Sequence, residues 1–211
     1  MIVYTYEATK DLNPFAPNFS FKMGEDIIPT NLNLLKSFFI TKEKQLINKY
    51  EANSDGGTQL SKNSITTRFV HYNLLAFPEI NFLKDIIKNK YEEFIKRTNV
   101  HINKSVYIQC WYNVMRKGEQ IKKHNHSRLN SKDVFLSGNL CVNVDNTSTY
   151  YSPPLFEKVI EIKNKNNQIV FFPSWLEHYT DSVKDNFERI TIGFDLKHTE
   201  DPGKNGVWIK L

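Results

Sequence analysis

His124 and His126 stand two positions apart, His178 follows roughly fifty residues later, and Arg189 comes eleven positions after that. In extended chain, residues i and i+2 point the same way, about 6–7 Å apart. Both imidazoles of the pair can therefore face one point if the strand end bends, and His178 can close the set from a distant segment. Imidazole nitrogen suits Fe, Zn, Cu or Ni, although iron sites more often combine two histidines with one carboxylate. A His-x-His pair in a Lys- and Asn-rich turn is, alone, often a surface coincidence. His178 has a more defined setting: Phe171-Phe172-Pro173-Ser174-Trp175-Leu176-Glu177 gives it an apolar run, a proline stop and an aromatic directly upstream. Arg189 and Thr191 share one strand face. A guanidinium fork grips a carboxylate through two hydrogen bonds, and a hydroxyl two residues on can add a third. The competing reading of Arg189 is a surface ion pair with Glu188 or Asp195. The order of the whole set favours a metal site with an anion anchor beside it.

Short strands must hold these groups. After residue 100 the apolar period is two. Val106, Ile108, Cys110, Tyr112 and Val114 alternate with Tyr107, Gln109, Trp111, Asn113 and Met115. Leu136 to Val144 repeats the pattern, Gln168 to Phe172 forms a short apolar strand ending at Pro173, and Glu188 to Leu196 alternates again. The polar sides of these runs, Gln109, Trp111 and Asn113, then Ser137, Asn139 and Asn143, then Arg189 and Thr191, suit either the lining of a ligand cavity or a water-facing sheet.

Upstream, the spacing predicts helices over Leu32–Tyr50, from Leu35, Phe38, Phe39, Leu46 and Ile47, and over Ile80–Lys96, from Ile80, Leu83, Ile87, Tyr91 and Phe94. Pro78 precedes the second where proline is tolerated. A turn is expected at Ser54-Asp55-Gly56-Gly57, and a β-prone edge segment from Asn63 to Asn73. Residues 1–30, punctuated by Pro14, Pro17 and Pro29, read as poor in strand. These elements predict a mainly β fold, a sandwich or barrel read as a jelly roll, with N-terminal helices packed on one sheet. The expected organisation is a single domain over 1–211, with a helical part at 1–100, a jelly-roll core at 101–197 and a C-terminal tail at 198–211.

The 211 residues include 40% hydrophobic and 13% aromatic side chains, enough for a sizeable core. The net charge is +5, with lysine and arginine scattered. Lys84, Lys88, Lys90, Lys96 and Arg97 fall on the second helix and read as a solvated face, so nucleic-acid binding is not indicated. Cys110 and Cys141 sit in apolar runs outside any metal spacing and are expected as buried thiols of a reducing compartment. The first residues, Met1-Ile2-Val3-Tyr4-Thr5-Tyr6-Glu7, lack a basic and then apolar leader pattern, and no long apolar span occurs. The expected location is cytoplasmic (host cytoplasm if the chain is phage-encoded), without membrane contact. Oligomeric state is not written in the sequence.

The chain resembles the 2-oxoglutarate/Fe(II)-dependent oxygenases of unknown substrate found in marine bacteria and their phages. Asp55-Gly56-Gly57-Thr58 and Asn63 to Phe69 are similar to that family's front motif. Trp111-Tyr112-Asn113-Val114, Gly118, His124-Asn125-His126 and Ser137-Gly138 are similar to its central motif. Phe172 to His178 and Arg189-Ile190-Thr191-Ile192 are similar to its closing motif. The resemblance spans roughly residues 30–196 and lies in the order of the pieces. It implies a double-stranded β-helix using Fe(II) and 2-oxoglutarate, with His124 and His178 as metal ligands and Arg189 holding the distal carboxylate of 2-oxoglutarate. The acidic ligand usual in the wider superfamily is absent from the His-x-His slot, which leaves the third position to His126, to water or to Asp133. The stretch Ser127 to Phe135 is longer than in the pattern and suits a lid or substrate loop.

On this reading Thr191, with Asn113 or Tyr107, assists Arg189, and Trp111, Trp175 and Tyr179 are candidates for the pocket wall. The expected reaction is dioxygenation by O2, hydroxylating an unidentified substrate with release of succinate and CO2. Two other classes stay open: a three-histidine cupin-type metalloenzyme that does not use 2-oxoglutarate, and a non-enzymatic phage structural or interaction protein.

Overall fold

The computed structural model describes residues 1–8, 18–50, 65–68, 73–128, 134–198 and 207–211; of 44 and 46–50 it describes the backbone alone. In chain order the elements are β1 (Ile2–Glu7), β2 (Ser20–Ile27), α1 (Lys36–Tyr50), β3 (Ile65–Thr66), α2 (Phe82–Thr98), β4 (Val106–Met115), β5 (Val134–Asn143), β6 (Ser148–Ser152), β7 (Ile160–Lys163), β8 (Gln168–Pro173), β9 (Glu177–Thr180), β10 (Arg189–His198) and β11 (Ile209–Lys210).

The period-two runs are the centre of a large antiparallel sheet in the order β1-β2-β8-β5-β10-β4-β11, with β3 also on β4. A second sheet has the order β7-β6-β9. The mainly β architecture has the antiparallel sheets of a jelly roll, as the sequence predicts. β10 pairs with β4 from Arg189 opposite Met115 to His198 opposite Val106, and with β5 along its other edge.

The two faces of the large sheet do different work. Ile108, Cys110, Tyr112 and Val114 of β4, Leu140 and Val142 of β5, and Ile190, Ile192, Phe194 and Leu196 of β10 are buried in one cluster with Leu83, Ile87, Tyr91 and Phe94 of α2 and Phe39 of α1. The helices therefore cover one face of this sheet. Burial of a large apolar side chain contributes about 1.5–3 kcal/mol, so packing, rather than intrinsic propensity, holds α2 in place. α2 ends where Asn99 turns left-handed (φ 56°) and its N–H returns to Ile95 and Lys96 carbonyls. The basic face of α2 is ion-paired in part: Lys90 meets Asp26 and Glu93, and Arg97 meets Glu93.

The opposite face of the large sheet carries the polar residues. Two glycines of the sheet make room for rings from the neighbouring strand. A Cβ on Gly138 would lie 2.0 Å from the Phe194 ring, and one on Gly193 would lie 2.6 Å from the Trp111 indole.

Several expectations need correction. Residues 1–30 are not strand-poor: β1 and β2 pair through six rungs and extend the large sheet beyond β8. β1 is an edge strand with Ile2 60% and Tyr4 40% exposed, so no clean in/out alternation marks it. The segment after 197 is not merely a tail, because Ile209 and Lys210 pair with Ile108 and Tyr107. The whole second sheet also went unread; its strands are only four or five residues long. The expected turn at Ser54–Gly57, most of the front motif, and Asp133 lie outside the described residues. Cys110 and Cys141 are free and buried, as expected. No helix among the described residues is long and apolar enough to cross a membrane.

Candidate metal centre and anion pocket

The three histidines come from two chain segments that meet as a short ladder. His124 donates its N–H to the His178 carbonyl at 3.1 Å, and His178 returns the bond at 2.8 Å. His178 lies on β9, opposite Tyr151 of β6. Two residues after His124, the His126 N–H is held by the Ser174 carbonyl at 2.9 Å. The side chains of directly opposed strand residues stand on the same face, so this backbone pairing gathers the imidazoles. Their ring centroids are 4.4 Å (His124–His178), 4.9 Å (His126–His178) and 5.3 Å (His124–His126) apart. One potential ligand nitrogen from each lies within 4.8 Å of the others.

Each ring is oriented through Nδ1. His124 Nδ1 is 2.8 Å from the Lys122 carbonyl, and His178 Nδ1 is 3.1 Å from the Leu176 carbonyl. His126 Nδ1 is 2.5 Å from Asp195 Oδ1. All three partners are acceptors, so the Nδ1–H tautomer satisfies them and leaves each Nε2 with a lone pair. Burial, then mutual repulsion, holds the imidazoles neutral. The His124 value is lowered to about 4 by burial and by His126. That of His178 falls well below the usual range for the same reasons. Burial also lowers His126, although Asp195 opposes the shift. A neutral, pre-oriented imidazole with a free nitrogen is the form that binds a metal, so this donor set fits a divalent transition ion.

The same cavity, of about 60 Å³, is lined by Trp111, Asn113, Asn139, Tyr151, Arg189 and Thr191, among others, and opens to solvent. Of the two readings of the polar strand faces, the cavity lining is the one found for these residues. Arg189 is 1% exposed. Its Nε donates to Thr147 Oγ1 at 3.4 Å, and no described carboxylate forms an ion pair with it. The surface pair with Glu188 or Asp195 is not formed: Glu188 meets Lys36, and Asp195 meets Arg68 and His126. Burial lowers the Arg189 value, yet arginine remains protonated in proteins. A buried cation without a described anion is costly, and it fits a small carboxylate ligand.

Thr191 stands opposite Asn113, whose Nδ2 donates to Thr191 Oγ1 at 3.5 Å. Tyr151 is fully buried, and its hydroxyl has no hydrogen-bond partner among the described residues. Burial pushes its phenol well up, so it remains a neutral donor. Its electrostatic coupling to Arg189 and its place in the lining make it a candidate second donor to the same anion.

Tyr107 does not join this group. It stands opposite Lys197, six positions from Asn113, or about 20 Å at the strand rise. Trp175 packs on Phe19 and Phe21, and Tyr179 stacks on Tyr150 at 5.2 Å, so neither forms the cavity wall; Trp111 does. Sequence reasoning missed Tyr151, Thr147, and the set formed by Arg68, Ser137 and Asp195. For Asp195 a signal existed, because it shares the β10 face of Arg189 and Thr191. Nothing marked Tyr151, which lies on an unread strand.

Residues 109–195 match the family model described as "Putative 2OG-Fe(II) oxygenase". The match covers less than half of the chain, and over it the chain is similar to 2OG-Fe(II) oxygenases. It supports a 2-oxoglutarate-dependent oxygenase, and the matched family implies Fe(II) and 2-oxoglutarate. The matched segment contains His124, His126, His178 and Arg189.

The chain shares its fold with a Pseudomonas putida prolyl-4-hydroxylase at 9% identity (TM-score 0.59, covering 84% of this chain and 92% of that one). It is similar to the viral collagen prolyl hydroxylase of Paramecium Bursaria Chlorella virus-1, in its 2OG complex, at 15% identity (TM-score 0.53, 84% and 96%). It is also similar to HygX of Streptomyces hygroscopicus, with nickel, 2-oxoglutarate and hygromycin B bound, at 9% identity (TM-score 0.54, 84% and 83%). No curated protein matches the chain.

Proposed function

We propose that this protein is a 2-oxoglutarate-dependent oxygenase that binds Fe(II) through His124, His126 and His178, binds 2-oxoglutarate against Arg189, and hydroxylates a substrate still to be identified. The observation that carries the reading is the convergence of three imidazole nitrogens within 4.8 Å, with every Nδ1 engaged on an acceptor. At a loaded site of this kind the chemistry supplied is oxidative decarboxylation of 2-oxoglutarate to succinate and CO2, with one oxygen atom of O2 entering a substrate C–H bond. Two structures of the same fold were determined with 2-oxoglutarate, one of them also with nickel.

The chain's own contribution is placement and exclusion of water. Arg189 presents its fork to the distal carboxylate of 2-oxoglutarate. Thr191 and Tyr151 are the hydroxyls available to complete that grip, and Asn113 orients Thr191. Trp111 and Phe172 wall the imidazole side of the cavity, limiting solvent around the oxidising centre.

An all-histidine donor set also suits a cupin-type enzyme that does not use 2-oxoglutarate. A buried arginine without a described carboxylate partner offers an anion site beside the imidazoles, which a carboxylate co-substrate fills and which supports the first reading.

The test is succinate release from 2-oxoglutarate under air, with and without Fe(II), in the absence of added substrate. Slow Fe(II)-dependent release that disappears in His178→Ala supports the proposal. Protein that neither retains iron nor turns over 2-oxoglutarate overturns it.

A further inference from the structure

Iron sites of the common facial type bring two imidazoles and one carboxylate to the metal, whereas the three groups that converge here are all imidazoles. A carboxylate is nevertheless present one hydrogen bond away. Asp195 is 2% exposed. Its Oδ1 accepts from His126 Nδ1 at 2.5 Å and from Ser137 Oγ at 2.6 Å, and its Oδ2 accepts from Arg68 Nη2 at 2.9 Å. The β10–β5 register sets this arrangement, because Asp195 stands directly opposite Ser137.

We propose that Asp195 is a positioning residue that locks His126 as a metal ligand, replacing direct coordination by a carboxylate with a carboxylate–imidazole pair. This rests on reading the three imidazoles as ligands. His124 and His178 are held by backbone carbonyls that no side-chain change removes. His126 has no such carbonyl at Nδ1; its ring is held by side chains alone. Ser137 lies 3.0 Å from the same Nδ1, but a hydroxyl both donates and accepts and cannot select a tautomer. A carboxylate only accepts, so it fixes hydrogen on Nδ1 and leaves Nε2 for the metal.

Arg68 and Ser137 hold the carboxylate from its other sides. The Arg68 guanidinium also lies 4.7 Å from the centroid of the Trp111 ring, itself 5.5 Å from His126. The carboxylate thus sits behind the cavity-lining Arg68, Trp111 and His126, and cannot readily rotate away from the imidazole.

The test uses the full chain and Co(II) as a spectroscopic probe, with affinity from titration and proton NMR of the Co(II) form. Wild type should show three strongly shifted, solvent-exchangeable resonances, one for each ligand Nδ1–H. Asp195→Ala should bind Co(II) about 10–100-fold more weakly and lose the His126 resonance while retaining the other two. Asp195→Asn keeps an acceptor oxygen without the charge and should fall between. Ser137→Ala, which leaves the carboxylate in place, should retain all three signals and serves if Asp195→Ala does not fold. A purely structural Asp195 would lower thermal stability but leave three resonances and an affinity within about threefold of wild type; that result overturns the inference alone. Wild-type protein that takes up no Co(II) would overturn the ligand reading and this inference with it.

Discussion

Arg189→Met separates a ligand-binding arginine from a structural one, because the two predict opposite signs for stability and binding. The guanidinium is buried, donates only a long bond to Thr147, and forms no ion pair with a described carboxylate. Replacing such a charge with an apolar chain of similar volume is often neutral or stabilising, so the ligand-free variant should melt no lower than wild type. Binding should collapse. Two charge-assisted hydrogen bonds at about 1.5–3 kcal/mol each set a loss of about 3–6 kcal/mol, or roughly 10²–10⁴ in Kd. Arg189→Lys keeps the charge but loses the fork and should lie between. The assay is calorimetric titration of 2-oxoglutarate into anaerobic Co(II)-loaded protein, paired with melting curves of the metal-free proteins. A 2-oxoglutarate Kd changed by less than about tenfold in Arg189→Met, or a large drop in its melting temperature, would refute the assignment of this residue to the anion.

The histidine cluster predicts a pH response in metal-free protein. All three folded values are depressed, that of His124 to about 4, so between about 6.5 and 4 the unfolded chain binds more protons. Stability is then full above about pH 6.5 and is lost as pH falls toward 4; a melting temperature flat across that window would contradict the burial of the cluster. Tyr151→Phe should leave the fold intact, since its hydroxyl has no partner among the described residues, and weaken 2-oxoglutarate by about 0.5–1.5 kcal/mol, read by the same titration. Gly193→Ala places a Cβ 2.6 Å from the Trp111 indole and should cost about 1–3 kcal/mol in denaturant unfolding; a neutral result would mean that Trp111 does not pack there. Leu83→Ala should cost about 2–5 kcal/mol, as a fully buried contact between α2 and the sheet.

The strands that hold the cavity were legible because each carries one apolar face toward the helices. Ile190, Ile192, Phe194 and Leu196 announce β10 by alternation, and Arg189, Thr191 and Asp195 must then share its other face. The helices showed themselves by the spacing of Leu83, Ile87, Tyr91 and Phe94. β1 was hidden because an edge strand with exposed Ile2 and Tyr4 has no dry side to write a pattern. β6, β7 and β9 were hidden by their brevity, and Tyr151 with them.

The metal candidates were legible as a set, but their convergence was not. It depends on the mutual backbone pairing of His124 and His178, which joins segments 54 positions apart. Tyr107 was misplaced for a related reason. Face periodicity assigns a side of the strand but says nothing about position along it, and the register with Lys197 puts Tyr107 at the far end. Asp195 had been weighed only as a partner for Arg189; its role behind His126 emerges from the register with Ser137.

The most direct measurement is X-ray absorption of anaerobic protein loaded with Fe(II), which counts imidazole scatterers around the metal. Three imidazoles are expected, falling to two in His124→Ala, His126→Ala or His178→Ala. Iron that is not retained, or that sits among oxygen ligands with fewer imidazoles in the wild-type protein, would contradict the account.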